Sequence, residues 1–441
     1  MARSSTEPKR RLILVELNEV NFDVARSYFD GLPLPAFKRL CAGMSVRTSS
    51  EQHYEELEPW IQWPSVHCGL TAAEHGVFRL GDITETSVPQ IFEQLEQRGL
   101  KVGCISAMNA ANRLSAPAYF IPDPWTRTPS DPSRWSRALS EAISQAVNDN
   151  AQSRISSRSA VSLLLGLIRF ARPKHYGLYL KLALRSRKAP WRKALFLDLL
   201  LHDLHWRLFN RTQPDFSAVF FNAGAHIQHH YFFNAKTLAK QSLRNPEWYV
   251  AADEDPIGEM LEIYDAILSD YLAAENVEVI VATGLTQKPY GSVQFYYRLK
   301  NHEQFLGLLR ISHREVLPRM TRDFLIEFES ASQAADAQEK LGEICIAGTN
   351  EPLFGVIDNR GGSLFVTLTY ANEITGETFV EFEGRRVALA PHVAFVAIKN
   401  GMHDPTGFAF FTPQVAKHAP IEGAHVKALY SSITEYFERT A

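Results

Sequence analysis

Cysteine is scarce: Cys41, Cys68, Cys104 and Cys345 lie far apart, with no Cys-x-x-Cys pair among them. Neither a cysteine-based zinc site nor a disulfide framework is expected, and the setting reads as reducing and cytoplasmic. Long apolar runs are missing as well. No stretch of about 18 uncharged apolar residues occurs, so no transmembrane helix is expected. The basic start is followed by an apolar run only from Leu12 to Val15 before Glu16 intervenes, shorter than the core of a secretion signal. Net charge is −3, so no overall basic excess points to nucleic acid. What remains is ordinary globular composition, 45% hydrophobic and 22% charged over 441 residues. That length suits two or three domains, or one large α/β domain carrying insertions.

The small net charge hides an asymmetry. Residues 151–211 hold 13 Lys and Arg, Arg154 and Lys188 among them, against Asp198 and Asp203 alone, for a charge of +11 and −14 elsewhere. The same segment carries leucine at helical spacing, as in SLLLGLIRF and KALFLDLLLHDLHWRLF. Basic amphipathic helices suit an anionic membrane surface, an anionic substrate or an acidic partner. The plain alternative is a helical cap whose apolar faces pack on the body and whose charges are solvated.

Either side of this segment, short apolar runs alternate with amphipathic helices. Leu12–Leu17 ends at Asn18-Glu19 and precedes FDVARSYF; Lys101–Ser106 follows VPQIFEQLEQRGL; Phe216–Phe221 ends at Asn222; and Val277–Ala282 follows EMLEIYDAILSDYLAAE. Such alternation predicts βα units and a mostly parallel sheet flanked by helices. Its polar residues gather where the strands end, which is where open α/β sheets place ligands. From Gln294 to Lys399 the pattern becomes helix (EQFLGLLRISHREVLPRM) and then short β runs broken by NRGG and TGE. The expected organisation is an α/β core over 10–150, 212–293 and 395–441, a basic helical insertion over 151–211, and a smaller α+β insertion over 294–394.

Three clusters carry candidate chemistry. In Asn222-Ala-Gly-Ala-His226-Ile-Gln-His229-His230, a helix starting near Gly224 puts His226 and His230 on one face, a spacing that can hold a metal. Histidines bonded to backbone at a helix start are the alternative. In Met402-His403-Asp404-Pro405-Thr406-Gly407 a loop histidine next to a core strand could be a ligand or an acid/base group. The segment Glu58-Pro-Trp60-Ile-Gln62-Trp63-Pro64-Ser65-Val-His67-Cys68-Gly69 has Pro64 placed to open a helix. Ser65 then sits where helix N–H groups favour an anion. Ser65 and His67 do not form a dyad, because residues two apart on a helix point in different directions. Trp60 and Trp63 could stack a sugar or other ring, with core packing as the alternative.

The order of these pieces resembles the alkaline phosphatase superfamily, in its type I phosphodiesterase/nucleotide pyrophosphatase branch. LILVELNEV with LPLPAFKRLCAGM is similar to that family's first strand and helix, CGLTAAEHGVF to its glycine-His-Gly segment, and PDFSAVFFNAGAHIQHH to its strand and metal-binding segment. IYDAILSDYLAAENVEVIVATG resembles the approach to its Asp-His-Gly motif, and MHDPTGFAFF its late metal-binding histidine. The resemblance covers most of residues 10–290 and 395–415. It implies an alkaline-phosphatase-like fold and hydrolysis of phosphate or sulfate esters, which in that family uses two metal ions about 4 Å apart.

The departures limit what carries over. Asn18 stands at the first-strand aspartate, with Glu16 and Glu19 beside it; Thr283-Gly284 stands at the Asp-His pair; and counting back from Gly69 puts Trp60 or Pro59 at the nucleophile. Neither can attack phosphorus. Asn222, His226 and His403 match the other site, so the resemblance implies at most one divalent ion, zinc or manganese, with Glu19 or Asp404 supplying negative charge. Glu19, Glu58 and His229 are the expected acid/base groups. Asn18, Trp60, Gln62 and Trp63 are the expected substrate contacts. The expected activity is a divergent ester hydrolase or transferase acting on an anionic small molecule. The alternative is an inactive descendant that binds an anionic glycan, a lipid headgroup or a protein partner.

Overall fold

The computed structural model describes residues 10–148, 157–187, 189–238, 243–319 and 322–438; Arg154 and Lys188 of the basic segment lie outside them. The chain divides into two compact units, one from Met1–Gln241, Val250–Lys288 and Gly401–Ala441, the other from Ser242–Tyr249 and Pro289–Asn400.

In the first unit β1 (Leu12–Leu17) is an unbroken buried run, as a strand covered on both faces requires. It is followed by α1 (Phe22–Ser27), α2 (Pro35–Ala42) and β2 (Met44–Ser49). Then come α3 (Pro59–Cys68), α4 (Ala72–His75), α5 (Ile91–Gln97), β3 (Val102–Ile105) and β4 (Tyr119–Ile121). The helical segment comprises α6 (Arg134–Asn148), α7 (Ser157–Phe170), α8 (Tyr176–Arg185) and α9 (Trp191–Thr212). The core resumes with β5 (Phe216–Phe221), α10 (Ala223–Tyr231), α11 (Pro256–Leu272) and β6 (Glu278–Ala282).

β7 (Thr286–Leu299) carries the chain into the second unit. There follow α12 (His302–Leu308), β8 (Glu315–Pro318), β9 (Asp323–Glu327), α13 (Ala331–Gly342), β10 (Cys345–Ile346), β11 (Val356–Asn359), β12 (Ser363–Thr367), β13 (Phe379–Phe382) and β14 (Arg385–Ala388). They form two antiparallel sheets, β10-β13-β14 and β11-β12-β9-β8, around an apolar core that includes Phe305, Phe324, Leu341 and Leu364. The stretch expected as one helix through EVLPRM ends instead at Leu308, and Glu315–Pro318 is a strand paired with β9. β15 (Val393–Asp404) returns the chain to the first unit, where β16 (Thr406–Phe411) and α14 (Ala428–Tyr436) complete it.

The main sheet has seven strands in the order β2-β16-β6-β1-β5-β3-β4. Only β16 runs against the rest, pairing antiparallel with β2 and β6. Parallel neighbours β5 and β6 flank β1 in register, Leu17 beside Phe221 and Glu16 beside Ala282. The carboxyl ends of three adjacent strands therefore bring Asn18, Asn222 and Thr283 to one edge, where Asn18 N–H donates to the Phe221 carbonyl at 3.0 Å and Glu19 N–H to the Thr283 carbonyl at 3.1 Å. Glu19 adopts a left-handed backbone, φ 60°, a conformation a glutamate pays for.

α3 departs from the sequence expectation. It starts at Pro59, with Pro64 inside it rather than at its beginning. A proline there leaves the carbonyl four residues back without its helical donor. That carbonyl, of Trp60, accepts instead from the Asn109 side-chain amide at 2.8 Å. Ser65 is thus a mid-helix residue, not a helix-start anion site.

Candidate functional site

Three side chains converge at the carboxyl edge of the main sheet. Glu19, just past β1 and 2% exposed, turns Oε2 towards His229 Nε2 on α10 at 3.2 Å and His403 Nε2 on β15 at 3.2 Å. The two imidazole nitrogens are themselves 3.3 Å apart. Two nitrogens so close, both facing one carboxylate oxygen, require a proton or a cation between them. A tetrahedral site with bonds of about 2.0–2.1 Å has ligand-to-ligand edges of about 3.3–3.4 Å, so the triangle has the dimensions of a metal face. One unshared face is also what a site that admits water or substrate needs.

The ring orientations agree with ligand roles. His229 Nδ1 lies 3.0 Å from the Gly401 carbonyl. A carbonyl can only accept, so Nδ1 carries the proton and Nε2 keeps its lone pair. On the other ring, His403 Nδ1 faces Glu58 Oε2 at 3.7 Å. Burial pushes the Glu19 carboxyl up, but His403 and His229 outweigh it and hold the group well below the usual carboxylate range. Glu19 is therefore ionised at neutral pH.

A buried polar shell fixes this arrangement. The Gln287 amide donates to Glu19 Oε2 and to the Ala225 carbonyl. Gln228 donates to the Glu19 carbonyl at 2.7 Å and accepts from Asn21 N–H at 3.0 Å, which pins the strained turn after β1. Asn18 donates to Asn222 Oδ1 at 2.8 Å and to Glu19 Oε1 at 3.2 Å, while its own Oδ1 accepts from Trp63 Nε1 at 2.8 Å. Asp198 on α9 receives the Ala223 N–H at 2.8 Å and the Tyr264 hydroxyl at 2.7 Å, seating the start of α10.

The expected site residues are distributed as follows. Glu19, His229 and His403 meet; Glu58 lies beside His403; Asn18 and Asn222 join each other across the strand ends. His226 stands apart from the triangle, with its ring 4.9 Å from that of His230. At about 100° per residue, His229 lies nearly one turn further along α10 and about 60° round from it. Asp404 is drawn to Lys288 at 3.1 Å. Trp63 is fully buried and offers no face for stacking. Trp60 is half-buried and donates to the Phe78 carbonyl at 3.2 Å, while the Gln62 amide donates to the Glu56 carbonyl at 3.0 Å. His403 lies on a strand, not in a loop. Gln287, Gln228 and Asp198 were not anticipated, since only the tertiary fold brings them to the site.

Two other buried histidine groups are structural. Ser65 Oγ lies 3.0 Å from His75 Nε2, while His75 Nδ1 accepts the Val77 N–H at 3.0 Å. The proton is therefore on Nε2 and is donated to Ser65, the reverse of what activating a nucleophile requires. Burial lowers His75 to about 4, which keeps it neutral. His175, His202 and Asp270 also cluster, but Arg172 and Lys174 already reach both Asp270 oxygens, and His175 Nδ1 binds Asp203 at 2.7 Å.

No family model matches this chain, and no curated protein matches it in sequence. Among solved structures it is similar to phosphonoacetate hydrolase from Sinorhizobium meliloti 1021, at 13% identity and a TM-score of 0.45, covering 97% of this chain and 96% of that one. It is similar also to murine ectonucleotide pyrophosphatase/phosphodiesterase 5, at 11% identity and a TM-score of 0.43, covering 97% and 94%. A His 135 Glu mutant of TAB5 alkaline phosphatase gives 11% identity and a TM-score of 0.42, covering 97% of each chain. At such values the likeness assigns no role to any residue.

Proposed function

We propose that this protein is a divergent hydrolase of phosphate or sulfate esters that uses one divalent ion, zinc or manganese, held by Glu19, His229 and His403. The observation that carries the reading is the triangle of one carboxylate oxygen and two imidazole nitrogens with mutual separations of 3.2, 3.2 and 3.3 Å. The ester class rests on the order of sequence motifs. Held there, a divalent ion supplies charge that polarises a phosphoryl or sulfuryl oxygen and acidifies water. Glu19 contributes the neutralising anion, and the Gly401 carbonyl keeps the His229 imidazole turned inward. Glu58, 28% exposed at its side chain, is the remaining base near the site and is placed to take a proton from attacking water. Trp60, where the family has its nucleophile, rules out a covalent intermediate at that position.

A second reading, a non-catalytic module that binds an anionic glycan, headgroup or protein, is favoured by the Asn18–Asn222 link. The Asn18 amide donates to Asn222 Oδ1 at an edge where hydrolases of the resembled family present carboxylates.

Metal content of the full chain, measured by mass spectrometry after exchange into chelator-free buffer and add-back of zinc or manganese, separates the two. The proposal expects about one ion per chain. His229→Ala and His403→Ala should each lose it, together with hydrolysis of p-nitrophenyl phosphate, bis-p-nitrophenyl phosphate or p-nitrophenyl sulfate. No ion at excess metal overturns the metal mechanism. An ion without hydrolysis of any ester favours the binding module.

A further inference from the structure

Much of the aliphatic surface that this chain leaves in water lies on α7 and α8. On α7, Val161, Leu164, Leu165 and Ile168 are exposed, Ile168 by 70%. At about 100° per residue they share one face. On α8, Tyr176, Leu180 and Leu184 recur every fourth residue, with Leu184 exposed by 73%. The inner faces of the same helices are well seated: Gly166 sits so close to α6 that a Cβ would meet Leu139 Cδ2 at 2.6 Å, and Tyr179 and Leu182 are buried. These helices therefore already have a core-facing side, and packing within the unit does not account for the outer one.

The charges divide in the same way. Arg172 and Lys174 pair with Asp270, and Arg192 with Glu254 and Glu259, against the body of the unit. Arg169, beside Ile168, and Arg185 and Arg187, beside Leu184, are exposed and have no carboxylate partner among the described residues. The sequence from Ala151 to Leu197 holds no Asp or Glu at all. Lys181 of α8 meets the half-exposed Glu262 at 3.7 Å, but an aliphatic face rimmed by arginines without carboxylate partners remains complementary to acyl chains below a layer of anionic headgroups. It suits a second copy poorly, because a two-fold contact would set this positive surface against itself. Of the apolar residues on these two faces only Tyr176 is aromatic, and leucine is under-represented among the anchors of protein interfaces.

We infer that the outer faces of α7 and α8 dock this protein on an anionic lipid bilayer, inserting aliphatic side chains while the arginines bind headgroups. The inference is independent of the chemistry at Glu19.

The test is co-sedimentation of the full chain with sucrose-loaded vesicles of phosphatidylcholine alone or with 30% phosphatidylserine. Binding to the anionic vesicles should exceed that to neutral ones on the order of 100-fold, given three arginines near the surface, and should weaken as salt rises. Ile168→Glu or Leu184→Glu should cut it at least about ten-fold; both positions are exposed, and circular dichroism verifies folding. Absence of anionic-vesicle binding by the unaltered chain at low salt overturns the inference. So does binding that neither substitution weakens, or sedimentation-velocity data showing that the substitutions abolish a dimer while vesicle binding stays unchanged.

Discussion

Replacing Gly401 by alanine tests the construction of the site without touching a ligand atom. A Cβ at this position would fall well inside contact distance of Gln287 Oε1 and 2.7 Å from the Gln228 carbonyl oxygen. Gln287 is tied to Glu19 and to the Ala225 carbonyl, and the Gln228 carbonyl belongs to α10, so neither gives way cheaply. Overpacking of this kind costs about 1–3 kcal/mol. The backbone at 401 has to retreat, and its carbonyl is what orients His229 through Nδ1. Losing such an outer contact lowers metal affinity by about 10–100-fold. Urea unfolding monitored for the first unit, and zinc affinity by competition with a chromophoric chelator, measure the two effects separately. Gly177→Ala is the control: its Cβ meets nothing within 4 Å, and in a helix it should be neutral or stabilise by up to about 1 kcal/mol. Unchanged stability and unchanged affinity in Gly401→Ala would refute the close packing around Gln287 and the orienting role of the carbonyl together.

Other substitutions probe separate parts of the first unit. Glu19 is ionised with its carboxyl held down in the folded chain, so it contributes stability above its unfolded value near 4 and loses that contribution as pH falls through the folded value. The deficit of Glu19→Gln against the unaltered chain should therefore shrink below about pH 4; urea midpoints that keep a constant gap from pH 8 to pH 3 would contradict this. Arg192, 4% exposed, bonds Glu259 through Nε at 2.8 Å and Glu254 at 2.7 Å. Arg192→Met strands Glu259 and should cost about 3 kcal/mol in urea unfolding, where a loss under about 1 kcal/mol would show the pair to be dispensable. Ser65→Ala removes the acceptor of the His75 proton, costing about 1 kcal/mol while leaving ester hydrolysis intact; lost turnover in a folded Ser65→Ala protein would contradict its structural role.

The strands of the main sheet are legible because a strand buried on both faces has to be apolar throughout: Leu12–Leu17 and Phe216–Phe221 announce themselves, and the polar residues that follow them mark the carboxyl edge. Glu19, His229 and His403 were each singled out, but not as one group. The motif order favoured His226, and only the pitch of α10 against β15 decides which imidazole faces Glu19. Pro64 suggests a helix start, since its missing N–H argues against a helix interior. What lets the helix run through is Asn109, a partner distant in sequence that no local pattern reveals. Glu315–Pro318 shows no break from the preceding helical pattern, and only its pairing with β9 makes it a strand. Gln287 and Gln228 carry no sequence signal, because a buried amide is recognised by its partners.

The Asn18–Asn222 hydrogen bond has a further consequence for how the site is assembled. Two carboxylates in those places, 2.8 Å apart, would repel each other and hold together only with a cation or a shared proton between them. Neutral amides attract instead, so the ends of β1 and β5 are fastened before any ion arrives. If Glu19, His229 and His403 hold an ion as proposed, its loading and unloading would leave the sheet edge closed, and chelation would be a reversible change at the rim of a folded protein rather than a step toward its unfolding.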